Sequence, residues 1–216
     1  MNYTQDIFKD NKLYFIGLFL FVFISLGCIQ YFGRDELHVL LNGYNTPFLD
    51  VFFKYFSKYG PVVFILCILY YVVKRENYKV LFILLSSYLL NFIVVTFVKK
   101  VFFIHVHRPT YYFSEKGIDL HLIDGVSSQI PFTFPSGHTS EAFLLLLFVC
   151  ILSTSKWIHF ISICIAVIMA YSRVYLSKHF LIDTVGGALL GVFIVTLLFY
   201  VFQHKNSTLL DRKILK

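Results

Sequence analysis

Six apolar runs, at 13–32, 59–73, 80–98, 136–153, 157–175 and 181–202, constrain this chain more than any other feature. A bilayer core about 30 Å thick takes roughly 20 apolar residues as a helix. No water satisfies backbone groups there, so only helices or closed barrels cross it. Runs of this length read as helices, and the expected fold is an all-α integral membrane bundle of six transmembrane helices. Composition agrees, with 58% hydrophobic and 14% charged residues, against about 25% charged in a soluble domain.

The second run is the weakest. Its apolar part, "PVVFILCILYYVV", is short and must borrow from "FLDVFFKYFSKYG", whose Phe/Lys spacing reads as an amphipathic helix lying in the interface. Short interfacial helices are therefore expected in the 33–58 and 99–135 loops. The first run is too long, and lacks the small-residue cleavage site, for a removed signal peptide, so it is expected to stay as an anchor. No linker, repeat or low-complexity stretch divides the 216 residues, which predicts one domain over 1–216. Cys28, Cys67, Cys150 and Cys164 lie inside apolar runs without CxxC spacing and read as small buried hydrophobes. The net charge of +7 comes from residues scattered over helix ends, where a membrane protein needs positive flanks, and it does not point to nucleic acid.

Lys and Arg counts set the orientation. The N-terminal segment, the 74–79 and 154–156 turns and the C-terminal tail carry ten; the other side carries nine, of which Lys100, Arg108 and Arg173 have a chemical role below. Setting those aside leaves six against ten, which predicts cytoplasmic termini. With six spans, the segments after the first, third and fifth helices emerge on one face whatever the orientation. The 99–135 loop and the 172–181 turn then share a side, and three polar clusters meet there: Lys100 with Arg108, Ser136 to His138, and Arg173 with His179 and Asp183.

Each cluster has a bland reading by itself. Terminal lysines snorkel, "PSGHTSE" can be a plain helix start, and His179 and Asp183 share a helical face as any i, i+4 pair does. Together they gather ionisable groups at membrane depth, where such groups are costly and usually functional. Two arginines and a lysine around a helix N-terminus make a strong anion site, and guanidinium groups match phosphate oxygens in bidentate fashion. Two histidines beside a bound phosphoryl group supply the rest: one attacks phosphorus and the other protonates the leaving oxygen. His179 is the better nucleophile, because Asp183 one turn on can hold its other ring nitrogen, and His138 becomes the general acid.

"PSGH" (135–138) and "SRVYLSKHFLID" (172–183) closely resemble the second and third signature motifs of the type 2 phosphatidic acid phosphatase and vanadium haloperoxidase superfamily. "KVFFIHVHRP" (100–109) is similar to the first, with seven residues rather than six between Lys100 and Arg108. The extra residue falls in the irregular exit from the third helix, or Lys99 substitutes. The resemblance implies a phosphohistidine on His179 supported by Asp183, protonation by His138, and phosphoryl oxygens held by Lys100, Arg108, Ser136, the Gly137 amide and Arg173. It implies no metal and no cofactor. His105, His107 and His121 lack the Cys or carboxylate spacing of a zinc site.

The leading expectation is a metal-independent phosphatase acting on a phosphorylated membrane lipid, with the bilayer as its other partner. Alternatives are a vanadate-dependent haloperoxidase, whose resemblance is to soluble helical proteins, and an anion transporter, for which the spans hold few polar residues. Undecaprenyl diphosphate, phosphatidylglycerol phosphate, phosphatidic acid and a lipid A phosphate all place phosphate at one depth, and Tyr111, Tyr112 and Phe113 are expected to line the lipid's way in. Short loops resemble compact bacterial members, which implies the inner membrane, with the site on its outer face. Oligomeric state has no signature in the sequence.

Overall fold

The computed structural model describes residues 6–75, 77–126, 132–203, 210 and 212–214. Among these residues the chain forms α1 (Ile7–Asp10), α2 (Lys12–Phe32), α3 (Arg34–Gly43), α4 (Pro47–Arg75), α5 (Tyr78–Val101), α6 (Pro109–Glu115), α7 (Gly137–Ile151), α8 (Lys156–Tyr175) and α9 (Leu181–Gln203), with no strand. Helices α2, α4, α5, α8 and α9 are long and apolar enough to cross a membrane, and α7 is apolar but shorter. The all-α membrane bundle is borne out, with five full-length spans and a sixth reduced to 15 residues.

That sixth helix explains the architecture. At 1.5 Å per residue α7 reaches roughly 22 Å, short of a bilayer core. It packs on α4, α5, α8 and α9, and every residue from 142 to 148 is buried, as suits a helix that is apolar all round. Phe19, Phe23, Phe92 and Phe193 on the outer helices are instead more than 60% exposed, the lipid-facing inverse of a soluble core. The chain leading into α7 is itself buried, with Thr133 and Ser136 at 0% exposure. Non-helical backbone at such depth is tolerated where protein surrounds it.

Glycines let α9 approach α7. A Cβ on Gly187 would lie 2.4 Å from the Ser136 carbonyl oxygen, and one on Gly191 would lie 2.1 Å from that of Ser140. Small residues four apart remove that obstacle, as at close membrane-helix crossings. Polar links tie the other helices to α7: Tyr14 Oη donates to the Phe143 carbonyl at 2.8 Å, and Ser140 Oγ donates to Asn91 Oδ1 at 2.5 Å.

Two expectations need correction. The 47–58 stretch is no separate interfacial helix; it is the first part of α4, a continuous 29-residue helix with Pro61 inside. Its buried positions, Phe53, Ser57, Gly60, Pro61, Ile68 and Val72, run down one face, so packing carries the helix past the proline. The interfacial helices expected in the two loops correspond to α3 and α6 alone. Nor are the cysteines uniformly buried: Cys150 is, Cys28 and Cys164 are half-buried, and Cys67 is exposed; all four are free thiols. At the end of the bundle away from the Lys99 end of α5, Tyr78 N–H donates to the Arg212 carbonyl at 3.1 Å. The tail therefore returns to the α4–α5 turn. Lys205 and Lys216 of the charge count lie outside the described residues.

Candidate active site

The turn between α8 and α9 builds the centre of the site. Ser177 takes a left-handed backbone, φ 48°, and the Arg173 carbonyl accepts from the Lys178 and His179 amides at 3.0 and 3.2 Å. Four residues after the α8 terminus, His179 is thereby folded back beside Arg173. The first turn of α9 then presents Asp183, whose Oδ2 accepts from the Phe180 amide at 2.8 Å. Its carbonyl accepts from the Ser136 amide at 2.9 Å, joining the start of α9 to the start of α7.

His179 and Asp183 do not meet directly in a tight hydrogen bond: Nδ1 and Oδ2 are 3.5 Å apart. Thr133 bridges them. Its hydroxyl donates to Asp183 Oδ2 in a very short hydrogen bond, and lies 3.2 Å from His179 Nδ1. A hydroxyl that spends its proton on the carboxylate can only accept from the ring, which fixes Nδ1–H and leaves Nε2 with its lone pair. All three side chains are buried. Burial, with the charges of Arg173, Lys99 and Arg108, pushes the His179 pKa well below its usual value.

A cavity of about 470 Å³ opens over this group, lined by Lys99, Arg108, Gly137, His138, Arg173, Lys178 and His179. On its α4 side it is walled by Lys54, Ser57 and Lys58, and above by Gly125, Val126 and Leu176. Ser136 caps α7, accepting from the Thr139 amide at 3.4 Å, so the free N–H groups of the helix start lie at the Gly137–His138 wall. The Arg173 guanidinium donates to Ser57 Oγ, while its Nε and that of Arg108 are buried without a partner. Burial, and then the charges of Arg173 and Arg108, lower the Lys178 pKa to about 8. Burial also lowers that of Arg108. The cavity is a set of cations held against their own repulsion, with donors left unsatisfied, as an anion site is.

His138, His179, Arg108, Arg173 and the Gly137 backbone are thus brought together as the motifs suggested. Lys100 is not: it is exposed and absent from the wall, where Lys99 stands half-buried. Helix α5 stays regular through Val101, successive residues point about 100° apart, and the buried stripe Leu84, Ser87, Asn91, Val95 leads to Lys99. Ser136 is buried, with its hydroxyl in the cap rather than on the cavity. Tyr111, Tyr112 and Phe113 do not line the cavity; Tyr112 and Phe113 brace it from outside through Phe180, while Tyr111 packs on His107. Arg34 of α3 lies 4.6 Å over Tyr112 and 4.3 Å over Phe180, and Asp35 accepts from Tyr112 Oη at 2.6 Å and Lys116 Nζ at 2.8 Å. Although its partial burial works the other way, hydrogen bonds from Lys116, Tyr112 and Arg34 hold the Asp35 carboxyl at about 2. Phe113 stacks on His38, which faces Ser177 Oγ at 3.2 Å. Thr133, Lys178 and Ser57 carry no signal in spacing that sets them apart from loop and helix residues; "PFTFPSGH" places Thr133 near the second motif and no more.

Among the described residues, no three of His, Cys, Asp and Glu gather as a metal site. His105 and His107 are exposed, and His121 Nε2 pairs with Asp50 at 2.8 Å.

A family model described as the PAP2 superfamily matches residues 80–207. The chain belongs to the PAP2 superfamily. It is 27% identical over 188 residues to a lipid A 4'-phosphatase of Bacteroides thetaiotaomicron, covering 82% of this chain and 79% of that protein. It is 29% identical over 202 residues to an undecaprenyl-diphosphatase of Sulfolobus acidocaldarius, covering 84% and 87%. The crystal structure of Aquifex aeolicus LpxE superposes with a TM-score of 0.63 at 28% identity, over 76% of this chain and 93% of that one. A PAP2-type phosphatidylglycerolphosphate phosphatase from Bacillus subtilis shares the fold, TM-score 0.59 at 21% identity, over 89% and 98%. The motif resemblance is borne out, and with it the reading of this PAP2 protein as a lipid phosphatase.

Proposed function

We propose that this PAP2 protein hydrolyses a phosphate or diphosphate ester of a membrane lipid through a phosphohistidine on His179, without a metal. The observation that carries this is the buried Asp183–Thr133–His179 chain aimed at a cavity of cations and helix-end amides. His179 Nε2 attacks phosphorus as the bond to the lipid oxygen breaks, and His138, which takes up a proton when the phosphate dianion binds among the cations, gives that proton to the leaving oxygen. Water then attacks the phosphohistidine while His138 takes a proton from it, the P–N bond breaks, and inorganic phosphate leaves. Arg108, Arg173, Lys99, Lys178 and the Gly137 amide hold the charge on the phosphoryl oxygens, preorganised in a site sheltered from bulk water. As the imidazole becomes cationic, Asp183 supports it through Thr133.

The relatives favour a lipid A phosphate or undecaprenyl diphosphate over phosphatidic acid, since those are what two of them are named for. The charge asymmetry supports cytoplasmic termini and a site on the outer face, and the likeness to bacterial membrane phosphatases supports residence in the inner cell membrane. The test is phosphate release by the purified protein in detergent from undecaprenyl diphosphate, phosphatidylglycerol phosphate, phosphatidic acid and a lipid A phosphate, with and without EDTA. Release from at least one lipid, undiminished by EDTA, is expected. Release from none, or loss on chelation restored by Mg²⁺ or Zn²⁺, would overturn the proposal.

A further inference from the structure

The catalytic cluster accounts for four of the six cations on the cavity wall. Lys99, Arg108, Arg173 and Lys178 surround His138 and His179, while Lys54 and Lys58 stand apart on α4. These two are four residues apart in a helix, so they share a face, with Ser57 between them. The hydrogen bond from Arg173 to Ser57 Oγ fastens that face of α4 to the catalytic cluster. Opposite it, the Asp124 carbonyl accepts from Lys54 Nζ at 2.8 Å, which aims the ammonium along the cavity under Gly125 and Val126. Lys54 is half-buried and Lys58 exposed, which places Lys58 on the solvent side of the pair. Among the described residues no Asp or Glu lines the cavity and neither lysine forms an ion pair.

A single phosphate monoester carries about two negative charges, and the four inner cations already exceed them. Lys54 donates to a carbonyl and Lys58 Nζ lies 5.0 Å over the Tyr59 ring, so no carboxylate neutralises either charge, and on a wall already cationic the two are placed to hold a second anion between them and the catalytic cluster. Resting on the phosphatase reading above, we propose that Lys54 and Lys58 form a second phosphate subsite, so that the preferred substrate is a lipid whose headgroup carries two phosphates. One phosphate is transferred at His179 while the other is held on α4. The second phosphate has two possible sources, the inner phosphate of a diphosphate or a separate phosphate elsewhere on a bisphosphorylated headgroup.

The test uses the full-length protein in detergent and the double variant Lys54→Gln/Lys58→Gln. Each is assayed on a prenyl monophosphate and the matching diphosphate, and on monophosphoryl and bisphosphoryl forms of a glycolipid. Loss of charge-assisted hydrogen bonds to the second phosphate predicts a KM raised roughly tenfold or more on the two-phosphate member of one pair. On both monophosphates KM is expected to stay within about twofold and kcat to be unchanged. Whichever pair splits identifies the source. Binding of inorganic pyrophosphate and orthophosphate, followed by calorimetry, provides a readout independent of turnover. The variant is expected to lose pyrophosphate affinity roughly tenfold and to keep orthophosphate affinity, which also shows that it is folded. If no lipid is hydrolysed, the phosphatase reading falls, yet pyrophosphate binding still decides the subsite for a diphosphate, and binding of the bisphosphoryl against the monophosphoryl glycolipid decides it for a separate phosphate. Equal losses on one- and two-phosphate ligands, or no loss on either, would overturn the proposal.

Discussion

Lys178 connects the charge of the site to pH. Burial and two neighbouring arginines lower its pKa from 10.5 to about 8, so its ammonium is complete only well below pH 8, is half lost at that value and disappears as pH rises through it. Anion binding depends on the charged form, and KM is expected to rise above pH 8 while kcat changes less. In Lys178→Arg the guanidinium stays charged, and the rise is expected to disappear from a KM–pH profile. An unchanged profile in the variant would remove Lys178 from phosphate binding. Such details were partly legible in the sequence. The spacing of Arg173, His179 and Asp183 sufficed to name those three, because only a short segment joins the two apolar runs that carry them. Thr133 was not legible, since its place between His179 and Asp183 depends on where a buried loop returns. Lys99 and Lys100 differ only by the rotation of α5, and in lipid both faces of a helix are apolar enough to hide which one turns inward.

Helix α7 is the element on which the others are assembled, and α9 reaches it only through glycine. Because the groups facing Gly187 and Gly191 are backbone atoms, at 2.4 and 2.1 Å from an added Cβ, no side chain can swing away to make room. Gly187→Ala is expected to cost about 1–3 kcal/mol of stability and to separate Ser136 from Asp183, lowering activity with it. Thermal unfolding in detergent, beside phosphate release, checks both; a variant as stable and active as the parent would contradict this packing. The spans at 157–175 and 181–202 were legible almost to the residue, because Lys156 and the Ser177–His179 turn interrupt apolar sequence. The full length of α4 was not, since the Phe/Lys spacing before residue 60 reads as a separate interfacial helix, and only the packed stripe from Phe53 to Val72 shows that it continues into the span.

At the scale of the molecule, the cavity opens at the Lys99 end of the bundle and the tail returns to the other end, at Tyr78 and Lys79. With cytoplasmic termini the cavity faces outward. In a cysteine-free background, Ser114→Cys is expected to react with an impermeant thiol reagent in intact cells and Asp10→Cys is not; the reverse pattern would invert the orientation. The central claim is that His179 carries the phosphoryl group, and trapping it tests that most directly. Protein quenched in alkali during turnover of lipid labelled with ³²P is expected to hold an acid-labile phosphate on His179 in the parent. His138→Ala is expected to form it roughly 10²–10⁴-fold more slowly from the lipid and, without the base that activates water, to lose it more slowly as well, and His179→Ala to hold none. An acid-labile phosphoenzyme in His179→Ala, with none in His138→Ala even on an activated ester such as p-nitrophenyl phosphate, would contradict the account.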